Sequence, residues 1–92
     1  MKIKLSVIMP MYNPKEIVRN LKEATIALEK ITSSYEIILV NDGSTNNCFE
    51  EAKKFKNKKV KVVGYEKNQG KGYAIKYGFK FVKGDYVAFV DS

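Results

Sequence analysis

The chain has 92 residues, 45% of them hydrophobic and 29% charged, which fits one small globular domain. No apolar run approaches the roughly 20 residues that a membrane-spanning helix needs. With one cysteine and no histidine, the chain can form neither an internal disulfide nor a His/Cys metal site or His-based triad.

The formal net charge of +7 brings nucleic acid or an anionic membrane to mind as partners. Of the 17 basic residues, however, only Arg19 carries a guanidinium fork. Base-specific readers rely on that fork, so specific nucleic-acid recognition is disfavoured. The densest lysine run, Lys53–Lys61, falls at an expected helix end, where lysine complements the helix dipole and stays solvated. Met1-Lys2-Ile3-Lys4-Leu5 leads straight into a strand-like run without the apolar core of a signal peptide, so the cytoplasm is the expected compartment.

Leu5–Pro10 reads as a first buried strand stopped by proline. Asn13 suits a helix N-cap, with Pro14 as first helical residue and Glu16 at the reciprocal capping-box position. Ile17, Leu21, Ala24, Leu28 and Ile31 then mark one helical face, ending near Thr32-Ser33-Ser34. In Glu36–Thr45, EIILVNDGST, four consecutive apolar residues precede a polar turn. A run without alternation suits a strand buried on both faces of a parallel sheet. Asn-Asp-Gly is also a hairpin signal, but a short helix to Phe55 follows here rather than a second strand, with Asn47 and Glu50 as another capping box.

Val60–Tyr65 alternates in part and reads as a third strand near an edge. A glycine-bearing turn, Asn68–Gly72, opens a helix over Tyr73–Val82 whose expected inner face is Ala74, Ile75, Gly78, Phe79 and Val82. Lys83-Gly84 closes it, and Asp85–Val90 is a fourth strand ending at Asp91-Ser92. The β-α-β-α-β-α-β pattern predicts an α/β fold: a Rossmann-like open parallel sheet with right-handed crossovers and flanking helices. Tyr12-Asn13, Asn41–Thr45 and Asp91-Ser92 would then share the carboxyl rim, where such sheets bind ligands.

Two phosphate-binding motifs fail. Five residues rather than four separate Gly64 from Gly70-Lys71, and Gly72 stands in place of the hydroxyl a P-loop needs. No Gly-x-Gly-x-x-Gly follows the first strand. Gly70 and Gly72 read chiefly as a tight turn, with Lys71 able to neutralise a phosphate. Asp91 follows an apolar strand, where a carboxylate wants a cation or hydrogen-bond donors; Mg²⁺ or Mn²⁺ shared with a diphosphate would satisfy it.

SVIMPMYN at Ser6–Asn13, EIILVNDGST at Glu36–Thr45, NQGKGYAIKYGF at Asn68–Phe79 and KGDYVAFVDS at Lys83–Ser92 occur together in this order. In these elements the chain resembles the amino-terminal half of inverting family 2 glycosyltransferases of the GT-A fold, particularly the dolichol- or polyprenol-phosphate sugar transferases. The resemblance implies strand order 3-2-1-4 and residues 1–92 as a nucleotide-sugar-binding subdomain. It implies that Pro10 and Tyr12 line the nucleotide pocket and that Asp42 holds the base. Asn13, Ser44 and Lys71 complete the expected nucleotide-binding set. Asp91 would be the first aspartate of the metal-binding Asp-x-Asp motif, serving Mg²⁺ or Mn²⁺.

Asn41 stands where many members have aspartate, and Pro14 where many have glutamate. The second aspartate, the acceptor-binding half and any catalytic base are expected beyond Ser92, so no catalytic residue is assigned. The expected reaction of the complete enzyme is sugar transfer to a lipid-phosphate or glycan acceptor, the former membrane-bound. A non-catalytic α/β interaction or folding fragment is the alternative reading. The fourth strand, an edge without protecting charges or prolines, predicts a homo-oligomer.

Overall fold

The computed structural model describes residues 2–90. Seven elements alternate along them: β1 (Leu5–Met11), α1 (Ile17–Glu29), β2 (Tyr35–Asp42), α2 (Cys48–Lys53), β3 (Val60–Tyr65), α3 (Lys71–Phe79) and β4 (Tyr86–Phe89). The strands form one sheet in the order β3-β2-β1-β4. Every pairing is parallel, with Val7 opposite Ile37 and Ala88, and Leu39 opposite Val62. A hairpin at Asn-Asp-Gly is thereby excluded, since α2 carries the chain back before β3 begins.

Side chains alternate between sheet faces along a strand, and the two cores follow that parity. Val7, Met9, Ile37 and Leu39 pack with Ile17 and Leu21 of α1 and with Cys48 and Ala52 of α2. Ile8, Ile38 and Val40 pack with Ala74 of α3 on the other face. All eight residues of β2 are buried, which is why its apolar run shows no alternation. Burying each such aliphatic side chain stabilises the fold by about 1.5–3 kcal/mol.

Several local expectations yield to tertiary contacts. α1 begins at Ile17, its N-cap is Glu16, and no side chain caps it. Asn13 instead adopts a positive φ of 51° and turns to a neighbouring loop. Asn47 makes no cap bond for α2; the Cys48 N–H donates to Asn46 Oδ1. Ile31 lies past the end of α1 and is 74% exposed. Phe79, expected on the inner face of α3, is 48% exposed and packs edge-on against the half-exposed Phe89. At Gly78 α3 approaches the sheet closely: a Cβ added there would sit 2.8 Å from Ile8 Cγ2.

Candidate functional site

Three loops meet at the carboxyl rim. Because Ile38 and Val40 face α3, parity puts Asp42 on the same face, beneath the turn that enters α3. There its carboxylate is buried and fully engaged. Oδ1 accepts the Tyr65 hydroxyl at 2.8 Å and the Gln69 N–H at 2.8 Å. Oδ2 accepts the Asn68 side-chain amide at 2.9 Å and the Gly70 N–H at 3.1 Å. Asn68 also donates to the Asp42 main-chain oxygen at 3.0 Å, which fixes the amide's orientation. Burial, and then the Asp42 carboxylate, hold the Tyr65 hydroxyl well above the usual tyrosine range.

Glycine makes this contact possible. Gly43 has φ +68°, and a Cβ there would collide with the Asn68 main-chain nitrogen. Gly70, with φ +95°, directs its N–H to Asp42 as the chain enters α3.

Asn13 locks the other side of the rim. Its N–H donates to Ser44 Oγ at 2.9 Å, and its Oδ1 accepts from the N–H groups of Thr45 at 2.7 Å and Asn46 at 3.1 Å. Asn46 returns a bond to the Pro14 carbonyl at 3.1 Å. Asn41, buried on the opposite face from Asp42, accepts the Ser44 N–H at 3.2 Å.

Between these two locks lies an open cleft of about 370 Å³, lined by Pro10, Met11, Tyr12, Asp42, Asn68, Gly70 and Lys71. Four of the expected nucleotide-binding residues, Pro10, Tyr12, Asp42 and Lys71, therefore share one hollow. Asn13 and Ser44 lie outside its lining and join the loops behind it. Tyr12 is half-exposed and Lys71 exposed, so the cleft offers an aromatic face and a cation. Asn68 and Tyr65, which the sequence reading did not single out, organise its floor.

Asp91 lies outside the described residues. The Val90 N–H donates to the Ile8 carbonyl at 3.1 Å, so pairing with β1 continues to the residue before it. Among the described residues, no three His, Cys, Asp or Glu side chains gather as a metal site. Asp42, the cleft's carboxylate, already accepts four hydrogen bonds. These residues alone do not supply a metal cage. No helix among them is long and apolar enough to cross a membrane.

The cleft stands where β1 has β2 on one side and β4 on the other, the switch point at which open α/β sheets take ligands. The chain belongs to glycosyl transferase family 2, whose sequence pattern matches residues 6–92. Crystal structures of S. aureus TarS residues 1–349 with UDP-GlcNAc and with UDP align with TM-scores of 0.80 and 0.81, at 32% and 30% identity. They cover 97% and 98% of this chain, which spans 26% and 27% of theirs. The mannosyltransferase PcManGT from Pyrobaculum calidifontis, in complex with GDP-Man and Mn2+, shares the fold at 17% identity and TM-score 0.81. That alignment covers 99% of this chain and 28% of PcManGT.

Proposed function

We propose that residues 1–92 are the donor-binding part of a glycosyltransferase and that the cleft takes a nucleotide-diphosphate sugar. The observation that carries this reading is the convergence of Pro10, Tyr12, Asp42 and Lys71 on one hollow at the switch point. The Tyr12 ring offers a surface on which a base can stack, and Lys71 offers charge to a diphosphate. Asp42 acts from beneath: it holds Gln69 and Gly70 in place and meets the base only by exchanging one of its present partners. Asn13 and Ser44 fix the position of the Tyr12 loop.

Asp91 is the proposed ligand for Mg²⁺ or Mn²⁺, which would offset charge on the leaving diphosphate. TarS with UDP-GlcNAc and PcManGT with GDP-Man support a nucleotide-sugar donor. The acceptor, a lipid phosphate or a glycan, would attack the anomeric carbon with inversion. The proposed compartment is the cytoplasm.

Calorimetry with UDP- and GDP-sugars in the presence of Mn²⁺ tests the reading. Binding that Tyr12→Ala weakens at least tenfold, with the fold intact, is the expected result. No heat from either nucleotide class with a folded sample would overturn it. Asp42→Ala is a poorer probe, because it removes the acceptor for two main-chain N–H groups and so disturbs the fold itself.

A further inference from the structure

The net positive charge of this protein is concentrated on one rim. In a parallel sheet the strand starts and helix ends share the amino edge, here residues 2–4, 29–36, 53–61 and 80–86. These segments hold eleven of the 17 basic residues and three of the ten acids. The remainder of the chain has six basic residues against seven acids and is close to neutral. The charge lies on the edge opposite the cleft. At about 3.3 Å per residue, β1 separates the two edges by roughly 20 Å.

Helix dipoles account for only part of this pattern. Lys30, Lys54 and Lys80 are the C-cap residues of α1, α2 and α3. Lys2, Lys58, Lys59, Lys61 and Lys83 are not, yet they surround one hollow of about 400 Å³. The acids of this rim are largely spent. Glu36 is buried and accepts the Ser6 hydroxyl at 2.6 Å and the Lys83 N–H at 2.7 Å. Glu29 pairs with Lys59 at 2.8 Å, and Asp85 with Lys2 at 3.7 Å.

A second observation concerns the apolar groups. Ile31, 74% exposed, and Tyr86, 65% exposed, stand on this same lysine-rich rim. Both line a small hollow of about 290 Å³ beside Lys4 and Leu5. An aliphatic and an aromatic side chain set among flexible ammonium groups match a headgroup layer: phosphates meet the lysines, and the apolar tips enter the acyl boundary. A nucleic-acid backbone would use the charge and leave Ile31 in water.

We propose that the amino rim is a docking surface for an anionic lipid bilayer, with Ile31 and Tyr86 as its apolar contacts. Docked in this way, the protein turns the cleft toward water, so donor is loaded from solution.

Co-sedimentation of the full chain with vesicles of equal parts phosphatidylglycerol and phosphatidylcholine tests this. Binding to these vesicles, loss of it with pure phosphatidylcholine, and weakening at high salt are expected. Each lysine contributes about fivefold to partitioning near such a surface, so Lys30→Gln/Lys58→Gln/Lys83→Gln should weaken it roughly a hundredfold. Lys15→Gln/Lys22→Gln/Lys76→Gln, with the same change in net charge elsewhere, should leave partitioning within a fewfold of the parent. Ile31→Ser/Tyr86→Ser should weaken vesicle binding while leaving the salt dependence in place. All these side chains are exposed, and circular dichroism verifies folding of each variant. Equal losses from the two lysine triples, absence of vesicle binding, or tighter binding to duplex DNA than to vesicles at matched salt would each overturn the proposal.

Discussion

Glu36 and Asp42 share one face of β2 and hold the chain on either side of α3. Glu36 accepts the Lys83 N–H at 2.7 Å after the helix, and Asp42 accepts the Gln69 and Gly70 N–H groups at 2.8 and 3.1 Å before it. Six residues apart on a strand, they stand about 20 Å from each other, which spans a nine-residue helix of about 14 Å and the turns at its two ends. α3 is thus docked by two buried carboxylates as well as by Ala74 and the bare flank of Gly78.

The first prediction tests that docking. Asp42→Ala leaves two main-chain donors without their acceptor, and an orphaned buried donor costs about 1–3 kcal/mol. Urea denaturation should show a loss of about 3 kcal/mol, a large share of a typical domain's stability. Glu36→Ala should be comparably destabilising. A shift in the midpoint within error of wild type for either variant would mean that water replaces these carboxylates.

Two glycines of α3 should respond in opposite directions. A Cβ at Gly72 meets nothing within 4 Å, so Gly72→Ala should stabilise by about 0.4–1 kcal/mol through the unfolded chain. At Gly78 the same atom would press on Ile8 Cγ2 at 2.8 Å and Val40 Cγ2 at 3.1 Å. Gly78→Ala should therefore cost about 1–3 kcal/mol by overpacking. Thermal melts of the two variants, one above and one below the parent, check this pair.

Alkaline pH should loosen the fold through two of its six tyrosines. Burial, with the Glu29 carboxylate second, pushes Tyr35 up to about 12, and burial beside Asp42 raises Tyr65 as well. Unfolded tyrosine ionises near 10. Above that pH the unfolded chain releases protons that the folded chain retains, so stability is full below about pH 10 and falls as pH rises toward 12. Absorbance titration should show Tyr35 and Tyr65 ionising only together with unfolding. Tyr65→Phe should flatten the alkaline fall.

Much of this arrangement can be read along the chain, and the reason is parity. The unbroken apolar run of β2 requires cover on both faces, and counting by twos from Ile38 assigns Asp42 to the α3 side. The misread positions are those whose partners are distant in sequence. Asn13 has the local context of an N-cap, yet its acceptor bonds go to residues more than 30 positions away, which a capping rule does not consider. Ile31 continues the period of α1 by one step past Glu29, where the helix has already closed. Asn68 gives no local sign of its role, because Asp42 lies 26 residues earlier.

The β4 edge should make the chain associate with itself. Tyr86 and Phe89 are exposed on a strand paired on one side by β1, and the exposed Val90 follows it. Light scattering over a concentration series should show dimers or larger species, and Phe89→Lys should return the chain to monomer. A monomer at every concentration would remove this prediction.

Purified residues 1–92 should bind donor without transferring sugar. Absence of a general base typically costs about 10²–10⁴-fold in rate, and the chain spans about a quarter of the TarS structures it matches. Radiolabelled transfer to a lipid phosphate or glycan by this chain would refute the expectation.

The strand order also bears on synthesis. β1 is made first of the four described strands and lies inside the sheet, but β4, its neighbour on one side, is made fourth. At about 5–20 residues per second, roughly 4–16 s separate the two on the ribosome. Throughout that interval the nascent sheet presents one flank of Leu5–Met11 unpaired, and until α3 is made Ile8 and Val40 lack their cover as well. A chaperone that recognises open strand edges therefore meets the flank of β1 only before residue 86 emerges; afterwards the edge of β4 stands in its place.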